Sequence, residues 1–207
     1  MDLSVSIVIR ALNEAIHLPK LLDGLSRQDR IPDQIILVDS GSTDRTREIC
    51  LAAGAEVLSI SPNEFTFGRA LNLGCEASTG EILVFVSAHV YPLDQNWLSK
   101  LIEPFEKSSD VALVYGRQTG DERNHFSETE LMRRWFPDTS DPDQRHPFCN
   151  NANCAIRRNI WEQIPYDESL TGLEDMAWAK ECLSAGHRIC YESEAVIVHV
   201  HEESISQ

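Results

Sequence analysis

No run of apolar residues in this 207-residue chain approaches the ~20 residues a helix needs to cross a bilayer. The opening residues, Met1-Asp2-Leu3-Ser4, have neither the basic start nor the long apolar stretch of a secretory leader. No Cys-x-x-Cys occurs. The six cysteines, Cys50, Cys75, Cys149, Cys154, Cys182 and Cys190, are scattered through ordinary segments and read as buried thiols rather than a disulfide frame, although Cys149 and Cys154 lie close enough to raise a metal or redox reading. Basic residues are scarce: 18 Lys and Arg stand against 33 Asp and Glu, a net charge of −15. That balance repels nucleic acid and anionic lipid, and an anionic substrate would need a local cation, from a metal or from arginines. The first strand is not followed by Gly-x-Gly-x-x-Gly, and the chain has neither Gly-x-x-x-x-Gly-Lys-Ser/Thr nor Gly-x-Ser-x-Gly. Together these absences point to a soluble, cytoplasmic protein that partners no nucleic acid. An acceptor carried in a membrane can still be met by peripheral contact.

What is present is an alternation of short apolar runs and helical patterns. Residues 5–9, 34–38 and 56–60 read as strands, separated by a helix with Leu18, Leu21, Leu22 and Leu25 at helical spacing and by a second helix closed by Gly54. Ser42 or Thr43 is expected to cap that second helix. After a loop over 61–68 and a helix over 69–77, residues 82–86 form a wholly apolar strand that stops at Ser87-Ala88-His89. Pro92 breaks the chain, Asp94 is expected to cap a helix carrying Trp97, Leu98, Leu101, Ile102 and Phe105, and residues 111–115 read as a strand. Residues 116–148 are polar and read as an irregular loop or lid, with one weakly helical patch over 128–136. A strand over 153–157, a helix over 173–185 ended by Gly186, and two strands over 188–191 and 195–200 complete the chain. The β-α-β alternation predicts one α/β domain over 1–207 with a mostly parallel sheet and right-handed crossovers.

In such a sheet ligands bind past the carboxyl ends of the strands. Three features stand there: Asp39, the Ser87-Ala88-His89 group, and His199 with His201. His89, His199 and His201 could supply imidazoles to a divalent ion; equally, a loop histidine can be hydrogen-bonded and the terminal pair can face water. Asp39 can accept from a ring N–H or a sugar hydroxyl, or bond its own turn. Glu174 and Asp175 open a helix, where a carboxylate is a general base or a favourable first-turn charge.

Taken together, SIVIRALNE at 6–14, ILVDSGSTDRT at 36–46, GRALNLG at 68–74, TGEILVF at 79–85, residues 151–158, GLEDMAW at 172–178 and YESEAVIVH at 191–199 resemble the inverting nucleotide-sugar glycosyltransferases of family two. That resemblance implies a GT-A fold: a Rossmann-like three-layer α/β/α sandwich with a nucleotide-binding half over 1–115 and an acceptor-binding half over 116–207. It implies that Ala11, Asn13, Glu14, Asp39 and Arg69 serve the nucleotide, with Ser87 and Ala88 beside them, and that Asp175 is the catalytic base with Glu174 helping to hold the acceptor. It further implies a UDP- or dTDP-type sugar donor, a hydroxyl acceptor, Mn2+ or Mg2+ as cofactor, and one sugar moved with inversion in surface polysaccharide or glycolipid synthesis.

Two departures stand out. The family usually carries Asp-x-Asp where this chain has Ser87-Ala88-His89, and it more often has Pro-Thr-Tyr where this chain has Arg10-Ala11-Leu12. The rival readings are a non-catalytic sugar-nucleotide-binding protein that has lost its metal site, against which the retained Glu174, Asp175 and His199 argue, and a nucleotidyltransferase, which lacks its basic glycine-rich loop here.

Overall fold

The computed structural model describes residues 3–120 and 126–200. Nine strands form one sheet: β1 (Val5–Ala11), β2 (Gln34–Asp39), β3 (Glu56–Ser59), β4 (Ile82–Ser87), β5 (Val90–Pro92), β6 (Val111–Gly120), β7 (Asp141–Gln144), β8 (Asn153–Arg157) and β9 (Arg188–His199). Their order is β3-β2-β1-β4-β8-β6-β9-β5, with β7 also on β9. The pairs β3-β2, β2-β1, β1-β4 and β6-β9 are parallel; β8, β5 and β7 run antiparallel to their neighbours.

Among the described residues seven α-helices flank the sheet: α1 (Leu18–Ser26), α2 (Thr46–Ala52), α3 (Phe67–Ala77), α4 (Trp97–Lys107), α5 (Phe126–Trp135), α6 (Arg158–Trp161) and α7 (Glu174–Ser184). Side chains alternate across a strand, so each central strand feeds two cores. Ile7, Ile9, Val84 and Val86 meet Leu21 and Leu25 of α1 and Trp97, Leu101 and Phe105 of α4 on one face. Val8, Leu83, Phe85 and Tyr115 meet Leu71 of α3, Met132 of α5, Ile160 of α6 and Trp178 of α7 on the other. That is the expected three-layer sandwich. Burial on both faces explains why β1 and β4 read as unbroken apolar runs.

Several elements differ from the expectation. The two last strands are one, β9. Its register against β6 jumps from Gly116↔Glu192 to Arg117↔Val196, and the intervening polar residues Ser193 and Glu194 belong to this irregularity rather than to a turn between strands. Gly116 is required there: a Cβ would meet the Ala195 carbonyl oxygen at 2.3 Å and Asn153 Nδ2 at 2.4 Å. Buried Asn153 donates to the Arg117 and Ala195 carbonyls at 2.9 Å and accepts from Trp97 Nε1 at 2.9 Å. Pro92 does not break the chain but ends the edge strand β5, where a missing N–H costs little. The described part of the 116–148 segment is more regular than expected. β6 runs on to Gly120, α5 covers the weakly helical patch, and polar β7 follows.

The caps differ too. Ser42 and Thr43 do not cap α2; Asp44 Oδ1 accepts from Thr46 N–H at 2.9 Å instead. Asp94 does not cap α4. There Gln28 Oε1 accepts from Leu98 N–H at 3.0 Å. α3 starts at Phe67, two residues earlier than expected, because Thr66 Oγ1 accepts from Arg69 N–H at 3.1 Å.

Candidate functional site

β1 and β4 are parallel neighbours, so their carboxyl ends emerge together, with Arg10 opposite Ser87. Beyond them lies a cavity of about 430 Å3 bordered by Arg10, Ala11, Leu12, Glu14, Ser40, Pro62, Phe65, Phe67, Ser87 and His89. Four of the expected residues, Ala11, Glu14, Ser87 and His89, therefore border the same cavity. Phe65 and Phe67, in T-shaped contact with centroids 5.3 Å apart, give the cavity an aromatic wall.

The other expected nucleotide residues stand elsewhere. Asp39 is almost wholly buried, and its carboxylate accepts from Gly41 N–H at 3.4 Å and Ser42 N–H at 3.2 Å, the turn-bonding arrangement the sequence left open. Asn13 has a left-handed backbone (φ 56°), which asparagine tolerates. Its Oδ1 accepts from Thr43 N–H at 2.8 Å and its N–H donates to Ser42 Oγ at 2.8 Å, tying the loop after β1 to the loop after β2. Ala88 points into the core. Arg69 lies 3.6 Å from Glu64, half exposed, and does not border the cavity.

The histidine reading divides. β9 is parallel to β6, so His199 reaches the same sheet edge as His89, and their rings lie 5.0 Å apart, tilted. His89 Nδ1 is 2.8 Å from Glu14 Oε1 and His199 Nδ1 is 2.8 Å from Gln118 Oε1. His201 lies outside the described residues. The place of Asp-x-Asp is taken by a neutral hydroxyl at Ser87 and a buried methyl at Ala88. Among the described residues, no three His, Cys, Asp or Glu side chains converge in a group able to hold a metal ion. The described side chains alone thus offer no three-ligand cage for a divalent ion.

Glu174 and Asp175 form the first turn of α7. The turn is entered through Leu173, whose left-handed backbone (φ 60°) is strained for a leucine. Asp175 accepts from Met176 N–H at 2.8 Å and from Asn151 N–H at 3.3 Å. Burial pushes its carboxyl above the ordinary aspartate value. Glu174's charge adds to the rise, and the two backbone bonds and Arg10 oppose it. Glu174 is buried and its Oε1 lies 3.3 Å from Arg10 Nη1. The sequence gives no spacing signal for Arg10, yet that residue joins the α7 carboxylates to the cavity. Its guanidinium carbon sits 5.2 Å from the Phe67 ring centroid.

Residues 6–164 match the family described as Glycosyl transferase family 2. The chain belongs to that family. It is 30% identical over 186 residues to the O-antigen chain rhamnosyltransferase WbaN of Salmonella anatum, covering 84% of this chain and 59% of that one. It therefore spans rather more than half the length of that relative. In fold it is similar to S. aureus TarS 1-349, with a TM-score of 0.76 at 17% identity over 95% of this chain and 60% of that one. It is also similar in fold to the glucosyl-3-phosphoglycerate synthase of Mycobacterium tuberculosis in complex with Mn2+, UDP and glucosyl-3-phosphoglycerate. There the TM-score is 0.70 at 22% identity, over 97% of this chain and 73% of that one. The architecture is the GT-A sandwich that the family-two motifs imply. Among the described residues no helix is long and apolar enough to cross a membrane.

Proposed function

We propose that this protein transfers one sugar from a nucleoside diphosphate sugar to a hydroxyl group of a saccharide or glycolipid acceptor, with inversion at the anomeric carbon. The single observation that carries this reading is the link between two groups. A cavity at the ends of β1 and β4 is joined through Arg10 to buried Glu174, which stands beside half-buried Asp175 at the head of α7. All ten residues bordering the cavity fall within 1–115, and the carboxylates fall within 116–207, which supports a donor half and an acceptor half. The relative named for O-antigen chain synthesis supports a surface polysaccharide as the setting.

In this reading the cavity holds the donor, with its aromatic wall against the base or sugar. Asp175 takes the proton of the acceptor hydroxyl as that oxygen attacks the anomeric carbon. A new C–O bond forms on one face while the bond to the diphosphate oxygen breaks on the other, and the electron pair leaves with the nucleoside diphosphate. A carboxylate held above its ordinary pKa is suited to that task, since it is a stronger base than a free aspartate. Glu174 positions Arg10. No step is routed through the expected Mn2+ or Mg2+, for which no cage of three side chains stands among the described residues.

The test is Asp175→Asn. Transfer from a UDP or dTDP sugar should fall by about 100-fold or more, the scale of a lost general base, while nucleotide binding measured by calorimetry stays within twofold. Undiminished turnover in the variant would remove Asp175 from the reaction.

A further inference from the structure

We infer that Arg10 holds the donor's diphosphate, supplying from the chain itself the positive charge that Ser87-Ala88-His89 is not built to gather as a metal. The inference rests on the transferase reading and sharpens it at one residue. Four observations carry it. Arg10 lies near the end of β1, directly across the ladder from Ser87, and both border the cavity. It is the one lysine or arginine among the ten bordering residues, in a chain with a net charge of −15. Its guanidinium is fixed in place, with one face toward Phe67 and Nη1 on Glu174, and its side chain is only 17% exposed. Among the described residues only Nη1 takes part in a hydrogen bond, which leaves further N–H groups of the planar fork for a ligand.

Ser87 completes the argument. A carboxylate at that position would stand on the adjacent strand end, opposite Arg10, and would compete with a phosphate for the guanidinium. A hydroxyl does not, and it can itself donate to a phosphate oxygen. A guanidinium matches two phosphate oxygens with parallel hydrogen bonds, which an ammonium cannot do. The same side chain that receives the leaving diphosphate would then touch Glu174, next to the base Asp175, so that donor and base are set by one fixed group.

The experiment is titration calorimetry of UDP and dTDP, and of uridine and thymidine, against wild type, Arg10→Gln and Arg10→Lys, each in EDTA and in Mn2+. Wild type should bind one diphosphate at least tenfold more tightly than its nucleoside, in EDTA as in Mn2+. Arg10→Gln should lose that margin while keeping the nucleoside affinity, and Arg10→Lys should keep part of it. Because Arg10→Gln leaves buried Glu174 without its cation, the double variant Arg10→Gln with Glu174→Gln is measured beside it, with melting curves confirming that each is folded. A diphosphate margin unchanged in the glutamine variants, or present in wild type only with Mn2+, overturns the role of Arg10. A wild type that binds no nucleotide under any of these conditions overturns the transferase reading itself, and the role of Arg10 with it.

Discussion

Asp175 places a carboxyl group where its charge is disfavoured, and the consequence for pH has a definite sign. Burial, with Glu174 alongside, raises its pKa in the folded protein above the ordinary 3.8. A base must be ionised to act, so the acid limb of kcat/KM should lie above 3.8, and activity should rise with pH through the raised value. Stability moves the other way. The native state holds this proton more tightly than the unfolded chain, so wild type loses stability relative to Asp175→Asn as pH climbs from the unfolded value to the folded one. Urea titrations between pH 3 and pH 7 should show the difference widening in favour of the variant across that window and level beyond it. A constant difference would mean that the carboxyl is not perturbed. The six cysteines make a second case at this scale. All are buried, and burial pushes Cys50 and Cys190 to about 11 and Cys182 to about 12, with Cys75, Cys149 and Cys154 also raised. Thiols held that high are protonated and shielded. A thiol reagent at pH 7.5 should modify none of the six in the native protein and all six in denaturant. Rapid labelling of Cys149 and Cys154 in the native state would revive a redox reading for that pair.

Among the elements, β1, β2 and β4 were legible because burial on both faces leaves a run of apolar residues that few other structures explain. The departures share a cause: they are fixed by partners far away in sequence. Leu98 N–H is capped by Gln28, 70 residues earlier, and no local pattern announces it. β7, with sequence Asp-Pro-Asp-Gln, has no apolar alternation, because only Gln144 turns inward, where Tyr115 Oη donates to its Oε1 at 2.6 Å. The interruption in β9 looked like a turn because Glu192, Ser193 and Glu194 are polar, whereas the chain keeps its direction and takes up the extra residues as an irregularity against β6. The site divides along the same line. The motifs named four residues that border one cavity, Ala11, Glu14, Ser87 and His89, while the Glu14–His89 and Arg10–Glu174 pairs span 75 and 164 residues and leave no spacing signal. One substitution tests the β6-β9 junction. Gly116→Ala would drive a methyl into the Ala195 carbonyl and the Asn153 amide, and should cost about 2 kcal/mol or more in chemical denaturation. A cost below about 0.5 kcal/mol, the scale of an ordinary surface change, would mean the approach is looser than described.

For the molecule as a whole, one sheet collects the ends of β1, β4 and β9 at a single edge, and the two cores fix those ends from both sides. Trp97 is fully buried and bonded to Asn153 behind that edge; its replacement by alanine should cost about 3–5 kcal/mol. The net charge of −15 bears on the whole surface, yet the donor reading requires a nucleoside diphosphate, itself an anion, to enter. The fold meets that requirement locally, with a guanidinium at the mouth of β1 and no acidic side chain at position 87. The central claim is that the cavity at the ends of β1 and β4 is the donor site. The most direct measurement is a crystal structure of the protein soaked with UDP or dTDP. The diphosphate should lie within hydrogen-bonding distance of Arg10, beside Ser87, with the nucleoside against Ala11 and Phe67 of the same cavity. A nucleotide bound elsewhere on the molecule, with this cavity unoccupied, would contradict it.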